Sequence, residues 1–147
     1  MALDFDRSIL GAVFDETSFA PITTQEILDF AAALGETNPL YTDEAAAAEG
    51  PYGGLVAPPT FLTKLRPNKM TPENMPKFGK FGFDGGRDLD VFAPVRPGDS
   101  LTMVSKIHDI YEKTGRSGSM YFIVLRNEVS NQNGKKVAVI DHRIMQR

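Results

Sequence analysis

The sequence contains no cysteine and no tryptophan, and its only two histidines are His108 and His142. Without cysteine there is no disulfide framework and no thiol nucleophile, and two isolated histidines give no basis for an imidazole-based metal site. No run approaches the roughly 20 apolar residues that cross a bilayer, and the first residues, with Asp4, Asp6 and Arg7, lack the basic and apolar regions of a signal peptide. A cytoplasmic protein without a membrane segment is expected. An excess of positive charge is missing too: the net charge is −3 over 147 residues, which argues against nucleic acid as the main partner. Carboxylates, hydroxyls and the backbone are left to carry any chemistry.

What is present amounts to one domain, residues 1–147, with a helix-rich first half and a strand-rich second half and no internal repeat. A short strand is predicted near Val13 to Ile22. Thr23-Thr24-Gln25-Glu26 then reads as a capping box opening a helix with Ile27, Leu28, Phe30, Ala31 and Leu34 on its apolar face and Gly35 as terminator. Thr42 as N-cap, acids at 43 and 44, alanines 45 to 48 and Gly50 predict a second, short helix. A third is predicted in GGLVAPPTFLTKL, opened by Pro58 or Pro59, with Phe61, Leu62 and Leu65 apolar.

From Lys80 the period changes to two, and three long strands are predicted: Leu101 to Tyr111, Ser119 to Val129 and Lys136 to Met145. RPGD at 96–99, KTGRSG at 113–118 and NQNG at 131–134 supply the turns. In the middle strand Met120, Phe122 and Val124 alternate with Tyr121, Ile123 and Leu125, so both faces are apolar and the strand is expected at the centre of the sheet. The fold class is therefore α+β, with at least one helix packed across an antiparallel sheet. Between helices and strands, residues 64–80 carry Lys64, Arg66, Lys69, Lys77 and Lys80 against the single acid Glu73, a local charge of +4 in a chain that is acidic elsewhere.

The stretch GETNPLYTDE, Gly35 to Glu44, places a carboxylate and a phenol on a helix-to-helix link. Taken alone, Glu36 reads as a base or as a solvated acid after a helix end, and Asn38-Pro39 as an extended or turn dipeptide shaping the link. Tyr41 reads as a pocket wall with its hydroxyl on Glu36 or as a half-buried aromatic; Gly53 and Gly54 permit close approach of a ligand or satisfy backbone angles. Phe78, Phe81 and Phe83 read as walls of a tunnel or as core.

Phe30 to Phe61, Val91 to Met103 (VFAPVRPGDSLTM) and the closing strand pattern together resemble the MaoC-like hydratases and dehydratases of the hotdog fold. The resemblance is to their N-terminal-type domain, which mycobacterial (3R)-hydroxyacyl carrier-protein dehydratases contain as their non-catalytic subunit. It implies a curved antiparallel sheet around a central helix, here the third one from about Pro59, and protomers paired through their sheets with the acyl site between them. Active members carry Gly-Asp-x-Asn-Pro-hydrophobe-His, whose Asp and His activate water for addition to a 2-enoyl thioester. Here that signature reads Gly35-Glu36-Thr37-Asn38-Pro39-Leu40-Tyr41. Glu36 keeps the carboxylate on a longer arm, and Tyr41 exchanges an imidazole for a phenol of pKa about 10. Pro59 falls where active members offer a backbone N–H to the thioester oxygen, and proline has none to give; a shift of one residue hands that role to Thr60.

The resemblance thus implies degenerate catalytic positions at Glu36 and Tyr41, substrate contacts at Asn38, Gly54, Ala57, Pro59 and Thr60, and docking of coenzyme A or carrier-protein phosphate at Lys64, Arg66 and Lys69. It implies no cofactor beyond the coenzyme A or acyl-carrier thioester that carries the substrate. It also implies a homodimer, or a heterodimer with another MaoC-like hotdog subunit. Three functions follow: an acyl-thioester-binding subunit beside a catalytically complete partner; a self-sufficient homodimeric (R)-specific enoyl-CoA hydratase with Glu36 as base; or a non-enzymatic acyl-CoA-binding protein. A thioesterase fits less well, since hotdog thioesterases place a carboxylate on or near the central helix and no Asp or Glu lies between Pro51 and Pro72. His108 and His142 stand apart from the motif and are expected to be non-catalytic.

Overall fold

The computed structural model describes residues 3–147. Its frame is a five-stranded antiparallel sheet: β1 (Val13–Ser18), β2 (Gly82–Val91), β3 (Thr102–Gly115), β4 (Gly118–Ser130) and β5 (Lys136–Gln146), in spatial order β1-β3-β4-β5-β2. The three strands expected from alternation are there, and β4 is central, as its two apolar faces require. The β3–β4 connection is tighter than predicted. Both strands run into KTGRSG until Gly115 faces Gly118, whose φ of 109° only glycine adopts readily, so Arg116 and Ser117 alone make the turn. β2 lacks clean alternation because it is interrupted at Gly85-Gly86 by a register shift between Asp84 and Arg87, and no strand was predicted there.

The helices are short. In α1 (Thr24–Ala33) the capping box forms as expected, Glu26 N–H reaching Thr23 Oγ1 at 3.1 Å and Thr23 N–H reaching Glu26 Oε2 at 2.8 Å. Thr23 N–H first, with the Thr23 hydroxyl at 3.1 Å and Lys64 adding to it, holds the Glu26 carboxyl below its usual range. Ile27 and Ala31 are buried, whereas Leu34, predicted on the apolar face, is exposed because it is the C-cap and already turns away from the core. The next helices are α2 (Pro39–Thr42) and α3 (Glu44–Ala48). α3 is capped by Asp43, not Thr42: Asp43 Oδ1 accepts from Ala46 N–H at 3.1 Å, and Thr42 is the last residue of α2.

The predicted third helix is corrected. Pro59–Lys64 is a six-residue 3-10 turn, so no long central α-helix starts at Pro59. Proline opens it, and Leu65 leaves the helical region at ψ 137° just before Arg66-Pro67, where proline disfavours the α conformation of its predecessor. The turn nonetheless lies in the core. Phe61 and Leu62 are fully buried among Ile27, Leu55, Val95, Leu101, Met103, Val129 and Ile140, and Phe61 meets Phe30 edge-to-face at 5.4 Å. Burying two such side chains contributes about 1.5–3 kcal/mol each. A second cluster, centred on Ile107, Ile110, Ile123 and Leu125, fills the far end of the sheet under Ile9 and Phe78.

Candidate functional site

The motif segment is organised by helix ends. Gly35 sits at φ 67° as C′ of α1, donating to Ala32 O at 3.0 Å, and Glu36 N–H reaches Ala31 O at 2.9 Å, a Schellman pair. The Glu36 carboxylate folds back on its own chain: Oε1 accepts from Thr37 N–H at 2.9 Å and Asn38 N–H at 3.0 Å. Asn38 Oδ1 accepts from Leu40 N–H at 3.0 Å and caps α2, whose first residue is Pro39. Glu36 and Asn38 therefore hold the link between α1 and α2. Tyr41 is half-buried, and no hydrogen bond joins it to Glu36 among the described residues.

A cleft of about 320 Å³ opens beside this link, a volume at the small end of ligand pockets. Tyr41 and Tyr52 form one wall, Val56–Pro59 and Leu62 the second, and Val91–Val95, leaving β2, the third. Two backbone bonds fix these walls, Val56 N–H to Leu40 O at 3.2 Å and Ala57 N–H to Val95 O at 2.8 Å. Of the candidates read from the sequence, the cleft brings together Tyr41, Ala57 and Pro59; Glu36, Asn38, Gly54 and Thr60 lie off its walls. None of the lining residues is Asp, Glu, His, Lys or Arg. The first N–H donated in the 3-10 turn is that of Phe61, to Pro58 O at 2.8 Å, so at Pro59 the wall presents ring carbons and no donor.

Gly54 neighbours Arg96, whose Nη1 reaches Tyr52 O at 2.6 Å and lies 3.9 Å from where a Gly54 Cβ would stand, an ordinary contact distance that does not itself require glycine. Arg96 has no carboxylate within ion-pair distance among the described residues. Its own N–H goes to the buried Asp99, which Gln132 also holds. Sequence reasoning missed Arg96 because it read RPGD only as a turn; an arginine inside a segment that carries the family resemblance was the available signal. Phe92 and Val91 were missed as well, and both are exposed at the rim.

The basic stretch is less free than its composition suggests. Lys64 lies 3.7 Å from Glu26 and over the Phe61 ring, Lys69 pairs with Glu73 at 3.0 Å, and Arg66 Nη1 donates to Thr63 O at 2.7 Å. Phe78 stacks on Tyr121 beside the second core cluster, whereas Phe81 and Phe83 are not core: exposed at the start of β2, they line an open groove of about 560 Å³ with Gly79, Lys80 and Arg147. Among the described residues there is no His, Asp and Glu cluster of metal-binding shape, and no helix is long and apolar enough to cross a membrane.

An antiparallel five-stranded sheet with a cleft between its edge strand and a buried, proline-opened turn is a hotdog-type fold. The chain belongs to the FAS1-like dehydratase-domain-region family, whose model matches residues 8–140. It is 33% identical to a UPF0336 protein of Parafrankia sp. (strain EAN1pec), over 92% of this chain and 90% of that one. Its fold is similar to the MaoC-like dehydratase from Rhodospirillum rubrum, with a TM-score of 0.67 at 23% identity over 93% of this chain and 91% of that one. It is also similar to a chain of the C-terminally truncated HadBC (3R-hydroxyacyl-ACP dehydratase) complex from Mycobacterium tuberculosis, with a TM-score of 0.70 at 24% identity over 97% and 99%.

Proposed function

We propose that this chain is the acyl-thioester-binding subunit of a two-subunit hydratase, paired with a second hotdog chain that supplies the acid–base residues. The observation that carries this reading is the composition of the cleft: it can accept an apolar acyl group, yet its walls hold no carboxylate and no imidazole and its Pro59 position has no N–H. Water addition places a hydroxyl on C3 of a trans-2-enoyl thioester and a proton on C2, which needs a group that takes one proton and delivers another. Nothing on the walls does both. The partner then brings the carboxylate, imidazole and oxyanion donor, and this chain brings the acyl wall, with Arg96 at the rim facing the carrier end. The HadBC complex, a dehydratase of two chains, supports the arrangement by likeness of fold. So does β2, a sheet edge that exposes Val91 beside the cleft and Phe83 at its far end, where a second hotdog sheet would pair.

The test is enoyl-CoA hydration by the purified chain alone and after co-expression with an Asp- and His-bearing MaoC-like partner. Turnover is expected only with the partner; robust turnover by the lone chain would overturn the reading and restore a homodimeric hydratase. A cleft without carboxylate, imidazole or basic side chain also suits binding alone, which turnover in neither combination, together with acyl-CoA stabilisation of the chain, would establish.

A further inference from the structure

Leu62 separates the cleft from a narrow crevice on its other side, floored by Leu65, Met103, Leu125 and Ile140. Its rim is cationic. Arg66, just past the 3-10 turn, donates through Nη1 to Thr63 O at 2.7 Å and to Leu65 O at 3.1 Å. Arg87, from β2, donates through Nη1 to the same Thr63 O at 3.3 Å. Two guanidinium groups from different elements thus converge on one carbonyl oxygen, and neither has a carboxylate within ion-pair distance among the described residues. Both side chains are exposed, and most of their N–H donors are unused.

His142 stands directly across from Arg87 in the β2–β5 register, on the same face, and lines the crevice with both arginines. Its Nε2 lies 3.2 Å from Asp84 Oδ1, an oxygen that Gly86 N–H also holds at 2.8 Å, and that N–H first, helped by the charges of His142 and Arg87, holds the Asp84 carboxyl below its usual range. Capping Thr63 O needs one donor. A second guanidinium brought to the same oxygen raises like-charge repulsion, and a bound oxyanion would turn that repulsion into attraction.

We propose that Arg66 and Arg87, with His142 beside them, form a phosphate-binding site. Arginine suits the task because its planar fork meets two oxygens of a phosphate at once. The site regroups the basic stretch: Lys64 and Lys69 stay on Glu26 and Glu73, and Arg66 works instead with a strand residue 21 positions further along the chain. It does not depend on what the cleft binds, since Leu62 stands between them.

The test titrates the full chain with inorganic phosphate at constant pH and ionic strength and follows the imidazole resonances of the two histidines. His108, exposed on β3, serves as an internal reference. Saturable movement of His142 but not His108 is expected, weakened about tenfold or more by Arg66→Gln with Arg87→Gln and less strongly by the two Arg→Lys changes, which keep the charge and lose the fork. A parallel titration with phenyl phosphate separates two sources. Tighter binding that the same double variant loses assigns the site to a phosphate carried on an organic body, and equal binding assigns it to the free ion. An unmoved His142, or an unchanged response in a double variant whose thermal midpoint shows it folded, would overturn the proposal; single variants provide the same readout if the double variant does not fold.

Discussion

The two edges of the sheet are treated in opposite ways. β1 is closed: Thr17 Oγ1 donates to Asp15 Oδ2 at 2.6 Å, both side chains are buried, and Asn68 N–H from the basic stretch reaches Thr17 Oγ1 at 2.8 Å and Asp15 Oδ2 at 3.2 Å. β2 is open. Over its ten residues only Gly85 and Leu89 are even half-buried, and Phe81, Phe83, Val91 and Phe92 are exposed along or beside it. An exposed, apolar edge invites another strand, and proteins that must stay alone cover or charge such edges. The chain covers one edge only; β2 relies instead on a bulge at Gly85-Gly86 and on the charges of Asp84, Arg87, Asp88 and Asp90, and its end at Val91 borders the cleft.

Breaking the open edge should have the largest effect. Phe81→Glu with Phe83→Glu should weaken association with a hotdog partner about a hundredfold, read by sedimentation or co-purification, while the isolated chain keeps its stability within about 0.5 kcal/mol. Unchanged association would move the interface elsewhere. The closed edge should respond through folding instead. Thr17→Val leaves Asn68 N–H and Asp15 short of a partner at a buried site and should cost about 1–3 kcal/mol in urea denaturation, whereas Asp90→Asn on β2 should stay within about 0.5 kcal/mol.

Between the edges, Arg126 and Asp141 join β4 to β5 through two hydrogen bonds, 2.8 and 2.7 Å. The bonds from Arg126, the largest influence, hold the Asp141 carboxyl below its ordinary range despite partial burial. A depressed carboxyl stabilises the fold fully above its unfolded pKa of about 4, and that contribution is lost as pH falls through the lower folded value. Asp141→Asn should therefore cost about 1–2 kcal/mol at neutral pH and flatten the acid limb of a stability–pH curve. The smallest effect is expected at Glu36→Gln. The amide oxygen still accepts from Thr37 and Asn38, so stability should change by less than about 0.5 kcal/mol, and hydration by the two-chain enzyme should not change. A collapse of activity there would return Glu36 to the role of base.

Local signals were legible in the sequence wherever a residue acts on neighbours a few positions away. Thr23 and Glu26, Gly35 and the alternation in β4 could be read directly, because capping, left-handed closure and a period of two are properties of short stretches. The six-residue turn at Pro59 reads as a helix in the sequence because Phe61, Leu62 and Leu65 suit either winding, and Pro67 limits its length. β2 escaped notice because its glycine bulge breaks alternation and its faces are exposed.

At the site, the sequence could name Tyr41, Ala57 and Pro59 but not that Glu36 turns away from them. A carboxylate one residue after a helix end has free backbone N–H groups within reach, and it takes them. The sequence by itself determined the capped helices, the long central strands and the Glu36 and Tyr41 that stand at the motif positions, each written within a few residues. Only the tertiary structure decided which strand edge is left open and which walls meet in the cleft. It also brought Arg87 and Arg66 to one carbonyl. These depend on strand order and register between segments far apart in the chain, which no local pattern encodes.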